Sequence, residues 1–205
     1  MKQIILVGNG GHSKVVKDII LSNGEFEIAG YLDSKIVEYY EKDGYFYDKV
    51  EHFYKYKNDY YFVIAIGNNE VREKIVASFD LDSKRFPSLI HSSAVVSDSA
   101  KVGNGTVVMP NVTINADTNI GFHTIINTGT IIEHDNTIKD YVHISPNSVL
   151  AGGVSVENKV HVAIGAKVLP QILIGLNSVV GAGATVTKNV PKNCTVVGTP
   201  AKPKE

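Results

Sequence analysis

The chain of 205 residues holds one cysteine, two methionines and no tryptophan. A lone Cys194 excludes an internal disulfide and a cysteine-based zinc site, so no metal centre is expected. Neither sign of charge is in excess. Twenty Lys+Arg against 21 Asp+Glu leave a formal net charge of −1, which gives no electrostatic reason to expect nucleic acid or an anionic membrane as partner. Long hydrophobic runs are also missing. The apolar stretches near the start, Ile4–Val7 and the interrupted Val15–Leu21, are too short or too charged to span a bilayer or serve as a signal peptide. A soluble cytoplasmic protein of one large or two small domains is the expectation.

What the chain does have is a repeat of six. From Ile90 the first residue of each block is Ile90, Val96, Val102, Val108, Ile114, Ile120, Ile126, Ile132, Ile138, Ile144, Leu150, Val156, Val162, Val168, Ile174, Val180 and Val186, with no slip. The fifth position is small or β-branched at Ala94, Ala100, Thr106, Val112, Thr118, Thr124 and Thr130, with Asn136 as the one polar amide. Neither a helical period nor simple strand alternation keeps every sixth position apolar for so long. Short strands joined by turns do, each block forming one side of a flat-faced coil that buries its apolar row against its neighbours. Gly and Asn recur between the blocks and suit tight corners. This stretch resembles the hexapeptide-repeat acyltransferases. The resemblance implies a left-handed parallel β-helix, three blocks per coil and acyl transfer; the period itself gives only a β-solenoid.

The first eighty residues follow another pattern. Gln3–Val7 reads as a buried strand, Gly8 to Ser13 as a glycine-rich turn, and Lys14–Ser22 as a helix with Val15, Val16, Ile19 and Ile20 on one face. Glu27–Leu32 is a second strand ending at Asp33, Tyr61–Ile66 a third, and Glu70–Phe79 a second helix. The polar, tyrosine-rich segment 34–59 carries no readable periodicity. Strand, glycine turn, helix and strand make a Rossmann-like βαβ unit, the start of a small parallel α/β sheet. The boundary falls near residues 82–89, at Phe86-Pro87, dividing the chain into a Rossmann-like domain, 1–85, and the β-helix with its tail, 86–205.

A glycine turn opening a helix offers backbone N–H groups and a positive dipole end, a natural seat for phosphate. The dinucleotide fingerprint wants a third glycine where this chain has Ser13, so a diphosphate of another nucleotide is favoured over nicotinamide. A tight turn with no ligand is the plain alternative. Asp33 lies where an acidic residue meets a ribose or base in such folds, or is a solvated strand end.

The order of the two parts, the Gly-x-Gly-Gly-His-Ser-Lys opening, the Ile132-Glu133-His134-Asp135 segment and the tail Val197 to Lys202 are together similar to a bacterial sugar acetyltransferase family. Its members include bacillosamine-pathway UDP-amino-sugar N-acetyltransferases and sialic acid O-acetyltransferase-like proteins. The resemblance implies a nucleotide sugar on the N-terminal domain, acetyl-CoA along the β-helix, and a homotrimer with active sites between subunits. Packing of flat solenoid sides around a threefold axis agrees with the last point.

Acetyl transfer from a thioester to an amine requires removal of a proton, stabilisation of the oxyanion and alignment of both substrates. Histidine suits the proton step near neutral pH, and the chain has seven. His134 stands between Glu133 and Asp135, so a carboxylate is available to orient its ring. By resemblance His134 matches the family's general base and Asp135 a glutamate that polarises it. Aspartate is one methylene shorter, which leaves Glu133 as second choice of orienter. His143 and His161 are one coil apart and should stack on one face. Resemblance assigns His143, Ile164 and Ala182 to acetyl-CoA, and Gly10, Gly11, His12 and Asp33 to the UDP-sugar. Glycines at 181 and 183 either let the coenzyme approach or simply turn the coil.

The reading is an acetyl-CoA-dependent N-acetyltransferase for a UDP-linked amino sugar of 4-amino-4,6-dideoxy type, serving bacterial surface glycans. Alternatives are O-acetylation of sialic acid or another sugar hydroxyl, which would use the same base, and a non-catalytic sugar-nucleotide-binding scaffold.

Overall fold

The computed structural model describes residues 1–204. The chain opens with β1 (Lys2–Val7), α1 (Gly11–Asn23) and β2 (Phe26–Leu32), followed by β3 (Tyr40–Lys42), β4 (Tyr45–Asp48), β5 (Tyr61–Ile64) and α2 (Asn69–Phe79). The sheet order is β3-β4-β2-β1-β5, parallel except for the edge pair β3 and β4. Burial on both faces explains the unbroken apolar run Ile4 to Val7, all fully buried. In α1, Val16, Ile19 and Ile20 face the core. Gly24 ends that helix in the left-handed conformation at φ 66°, its N–H donating to Ile20 O.

Helix α1 starts at Gly11, three residues before the periodic pattern begins, so His12 and Ser13 belong to its first turn. Ser13 is buried and its Oγ donates to Gly10 O at 2.7 Å, a polar contact that apolar periodicity does not register. Strand β5 ends at Ile64 rather than Ile66, because the Ile66 and Gly67 carbonyls turn away to accept hydrogen bonds from Arg72. Within 34–59 the tyrosines are an aromatic stack across neighbouring strands. Tyr31 lies on Tyr47 with centroids 5.1 Å apart, and Tyr47 on Tyr40 at 4.7 Å. Buried Asp48 closes the segment, accepting from His52 Nδ1 at 2.7 Å and Tyr56 OH at 2.9 Å.

From Leu89 onward the chain forms a three-sided parallel β-helix. A first face stacks Leu89–Ile90, Val107–Val108, Ile125–Ile126, His143–Ile144, His161–Val162 and Val179–Val180, then Thr195–Val197 with antiparallel Lys202–Pro203. A second face runs from Val95–Val96 to Thr185–Val186, and a third from Lys101–Val102 to Leu173–Ile174. As far as Lys167–Val168 each strand pairs with the strand eighteen residues on, as His143 does with His161; Val179 pairs with Thr195, sixteen on. The first position of each block is buried from Val108 to Val186. Ile90, Val96 and Val102 are only half-buried, since they line the first coil and have no coil beneath them.

The corners repeat as strictly as the core. From Gly105 to Gly183 every sixth residue has positive φ. Gly, Asn and Asp tolerate that region; besides Gln171, three other residues, His123, Tyr141 and Lys159, occupy it at a cost of roughly 1–2 kcal/mol each. All three lie on the edge between the third and first faces, where the N-terminal part docks. There Asn69 Nδ2 donates to Lys159 O and Val160 O, Lys159 Nζ meets Glu73 at 3.1 Å, and Phe86 packs edge-on against His123. The sequence does not announce this dock. Its centre is Arg72, 1% exposed, on the stripe of α2 that also carries Ile75, Val76 and Phe79.

Candidate active site

His134 and Asp135 form the turn between the second and third faces, the edge across the prism from the first face. Asp135 takes φ 60°, and its Oδ2 accepts from His134 Nδ1 at 2.7 Å. A carboxylate can only accept, so Nδ1 carries the proton and Nε2 presents its lone pair. The hydrogen bond to Asp135 holds the His134 pKa above its ordinary value; desolvation opposes it, and the charges of Asp135 and Glu133 add to the rise. Both side chains are exposed, at 62% and 65%. Glu133 does not orient the ring: its Oε2 accepts from Asn115 Nδ2 at 2.9 Å.

On the first face, facing the N-terminal part, His143 and His161 stack with centroids 5.1 Å apart. His143 is fixed at both nitrogens. The amide of Asn127 is oriented by its Oδ1, which accepts from Thr128 N, so Nδ2 donates to His143 Nε2 at 3.1 Å. Nδ1 is then the protonated nitrogen and faces Gly67 O at 3.3 Å. Burial, then the nearby His161, Arg72 and His12, push the His143 pKa down to about 3. His143 is therefore a neutral, immobile ring with no free lone pair for a proton. Asn127 carries no signal in the repeat; only its contact with His143 singles it out.

His12 lies 6.5 Å from His143, ring centre to ring centre, and its Nε2 is buried without a hydrogen-bond partner in the protein. Burial and then Arg72 hold His12 near pKa 4. Arg72 itself is a buried cation facing only neutral acceptors. It donates to the carbonyls of Ile66, Gly67, His123, Tyr141 and Val142 and to Asn69 Oδ1, at 2.7–3.2 Å. A groove of about 450 Å³ beside it is lined by Gly67, Asn69, His143, Lys159 and His161.

The glycine turn divides into two kinds of glycine. Gly8 is demanded by the fold: at φ 110°, a Cβ there would sit 2.9 Å from Ala65 O. At Gly10 and Gly11 an added Cβ would meet nothing within 4 Å, and the N-terminus of α1 has no side-chain cap. Packing does not require glycine at either position, and the backbone is left open to a ligand. Asp33 Oδ2 accepts from Asn9 N at 2.7 Å and Oδ1 from Lys35 N at 2.8 Å, holding the turn to the end of β2. Asp33 also lines a cleft of about 670 Å³ with Asn9, Lys35, Tyr39 and Tyr40.

Ile164 and Ala182 stand one coil apart on the edge between the first and second faces, where Gly183 N donates to Ile164 O. Ile164 is 56% exposed. The flanking glycines both have reasons within the fold, Gly181 abutting Val197 and Gly183 at φ 65°. Apart from Gly10, Gly11 and Asp33 at the glycine turn, the residues singled out from the sequence fall in three groups. His12 and His143 come together across the dock; His134 with Asp135, and Ile164 with Ala182, occupy two other edges of the same prism.

Comparison with known proteins gives this arrangement a family. Residues 3–79 match the model of the PglD N-terminal domain. UDP-N-acetylbacillosamine N-acetyltransferase of Bacillus subtilis is 44% identical over 113 residues, 53% of this chain and 52% of that protein. GDP-perosamine N-acetyltransferase of Escherichia coli O157:H7 is 34% identical over 138 residues, 67% of this chain and 54% of its own. These matches span about half the length of the curated relatives. Among solved structures, PerB of Caulobacter crescentus in complex with CoA and GDP-perosamine superposes with a TM-score of 0.88 at 33% identity, covering 100% of this chain and 98% of that one. The acetyltransferase domain of PglB from Neisseria gonorrhoeae, in complex with acetyl coenzyme A, gives 0.90 at 30% identity and 99% coverage of both chains. With both halves of its fold, the Rossmann-like sheet and the left-handed β-helix, matched over nearly full length, the chain belongs to the hexapeptide-repeat sugar acetyltransferase family.

Proposed function

We propose that the protein is an acetyl-CoA-dependent N-acetyltransferase acting on a nucleotide-linked amino sugar of the 4-amino-4,6-dideoxy type, in the cytoplasmic stage of bacterial surface glycan synthesis. The observation that carries this reading is the His134–Asp135 pair, with Nδ1 engaged at 2.7 Å and Nε2 free on an exposed edge. In this reading the sugar amine attacks the thioester carbonyl carbon and His134 Nε2 takes the amine proton. Collapse of the tetrahedral intermediate breaks the carbon–sulfur bond, and the departing CoA thiolate receives that proton from His134. Asp135 keeps the ring in the productive tautomer and stabilises its charged form.

Residues 1–85 hold the nucleotide sugar and 86–205 the coenzyme. Gly10 and Gly11 offer open backbone to the diphosphate, Asp33 borders the cleft for the nucleoside, and the unpartnered Nε2 of His12 suits a polar group of the substrate. Exposed Ile164 and Ala182 give acetyl-CoA an edge to lie along. His143 lies beside the sugar site as a fixed neutral ring near the thioester. His134 occupies the edge across from the first face, which carries His143, so the base and the sugar site of one chain do not share a wall. A homotrimer, in which the His134 edge of one subunit faces the His143 groove of the next, supplies it.

Thiol release from acetyl-CoA, followed with UDP- and GDP-linked 4-amino-4,6-dideoxy sugars and with sialic acids, tests the reading. Release with an amino-sugar nucleotide alone is expected. Release with a sialic acid alone assigns O-acetylation instead, and no release with any acceptor leaves a binding scaffold.

A further inference from the structure

Where the inward fifth position of a block is polar, from Thr106 to Ser148, it forms part of a hydrogen-bond ladder. Thr106, Thr118, Thr124, Thr130 and Ser148 each donate a hydroxyl to the carbonyl fifteen residues on, at 2.7–3.2 Å. Asn136 keeps that rung, reaching Ala151 O at 3.0 Å. Its Nδ2 also lies 2.6 Å from Glu133 O and 3.2 Å from His134 O. A hydroxyl has one hydrogen and an amide nitrogen two, so only the amide can hold the rung and the turn together. The substitution is not free, since Asn136 is fully buried and its Oδ1 has no partner in the protein. Threonine serves elsewhere in the ladder, so the solenoid itself gives no reason for an amide here.

One coil further on, Gly152 answers the same histidine. The three atoms that a Cβ at Gly152 would meet are all of the His134 ring: Cε1 at 2.7 Å, Nε2 at 2.8 Å and Nδ1 at 3.3 Å. Gly152 does not adopt the left-handed conformation, and no backbone crowds it. The His134 ring alone requires glycine there.

We infer that Asn136 and Gly152 are positioning residues that form a two-sided mount for His134, the amide gripping its main-chain turn and the glycine admitting its ring. The inference rests on His134 acting as the base. The ring itself meets Asp135 from its own turn and Gly152 from the next coil; Asn136 holds the main chain of the turn, and Asn115 occupies Glu133.

Asn136→Thr restores the ladder's common residue and Gly152→Ala adds one methyl to an ordinary backbone, so both variants retain the coil. Imidazole ¹⁵N shifts of His134 in the full chain report its tautomer. Turnover with acetyl-CoA and a UDP-linked 4-amino-4,6-dideoxy sugar reports its placement. In both variants the Nδ1–H tautomer should give way to a mixture, with kcat lower by about 10- to 100-fold and KM unchanged, the loss expected from a misplaced catalytic group. Unchanged ¹⁵N shifts, with or without a loss of rate, would overturn the mount. Shifted ¹⁵N signals at full rate would leave the mount standing and refute His134 as the base.

Discussion

Arg72 Nε donates to the main-chain carbonyl of His123 at 2.7 Å, joining helix α2 to a solenoid corner held at positive φ. The same guanidinium spans Ile66, Gly67, Tyr141 and Val142, so one side chain ties the N-terminal sheet to two successive coils. Arg72→Met leaves these carbonyls buried and unpaired. A loss of about 3 kcal/mol or more is expected in urea unfolding, since one orphaned buried acceptor costs roughly 1–3 kcal/mol. Arg72→Lys should not rescue it, because one ammonium cannot reach donors' positions on both sides of the dock.

The two kinds of glycine in the first turn separate by stability. Gly8→Ala meets Ala65 O and a positive φ, and lowers the melting temperature. Gly11→Ala sits in the first turn of α1 with open space around its Cβ; stability holds or rises, by up to roughly 1 kcal/mol. A rise of about tenfold or more in KM for the nucleotide sugar, with KM for acetyl-CoA unchanged, is the expected signature of a bound diphosphate at this turn, on the scale of one lost charged hydrogen bond.

The repeat was open to direct reading because the solenoid's core is periodic: one inward row, one phase, no insertion. The corners were open as well, in that Gly, Asn and Asp fill most positive-φ positions. What periodicity cannot carry is a contact between unlike parts. Arg72 looks like any surface arginine unless its place in the stripe with Ile75, Val76 and Phe79 is noticed, and Asn127 gains meaning only from His143. Segment 34–59 has no legible period because stacking among Tyr31, Tyr40 and Tyr47 runs across strands and leaves no pattern along any one of them. His134 and Asp135 stand out by adjacency and by resemblance together, and in the structure Asp135 reaches the ring while Glu133 has another partner.

Acid should weaken the fold well before carboxylates titrate out. His12 and His123 are held near pKa 4 and His143 near 3, by burial first, against an ordinary 6.5. Below pH 6.5 the unfolded chain takes up protons that the folded chain refuses. The stabilisation is complete above 6.5 and drains away as pH falls toward about 4. Melting temperature should fall across that window. His123→Asn, which tolerates the left-handed backbone, should melt lower at neutral pH yet show a shallower acid slope.

Activity should respond to acid through a different histidine and in the other direction. Hydrogen bonding to Asp135 raises the His134 pKa, so the acid limb of kcat/KM lies above the ordinary histidine value. Asp135→Asn removes the anion that favours imidazolium, which moves the limb to lower pH while reducing the plateau. An unmoved limb would assign it to another group.

The most direct measurement is the turnover of His134→Ala with acetyl-CoA and the accepted amino-sugar nucleotide, followed by thiol release at pH 7.5, about one unit above the ordinary histidine pKa. If His134 is the base, kcat falls by about 10²- to 10⁴-fold, KM for the sugar nucleotide stays near that of the parent, and the acid limb disappears. Turnover at the parent's rate, with the acid limb intact, would contradict it.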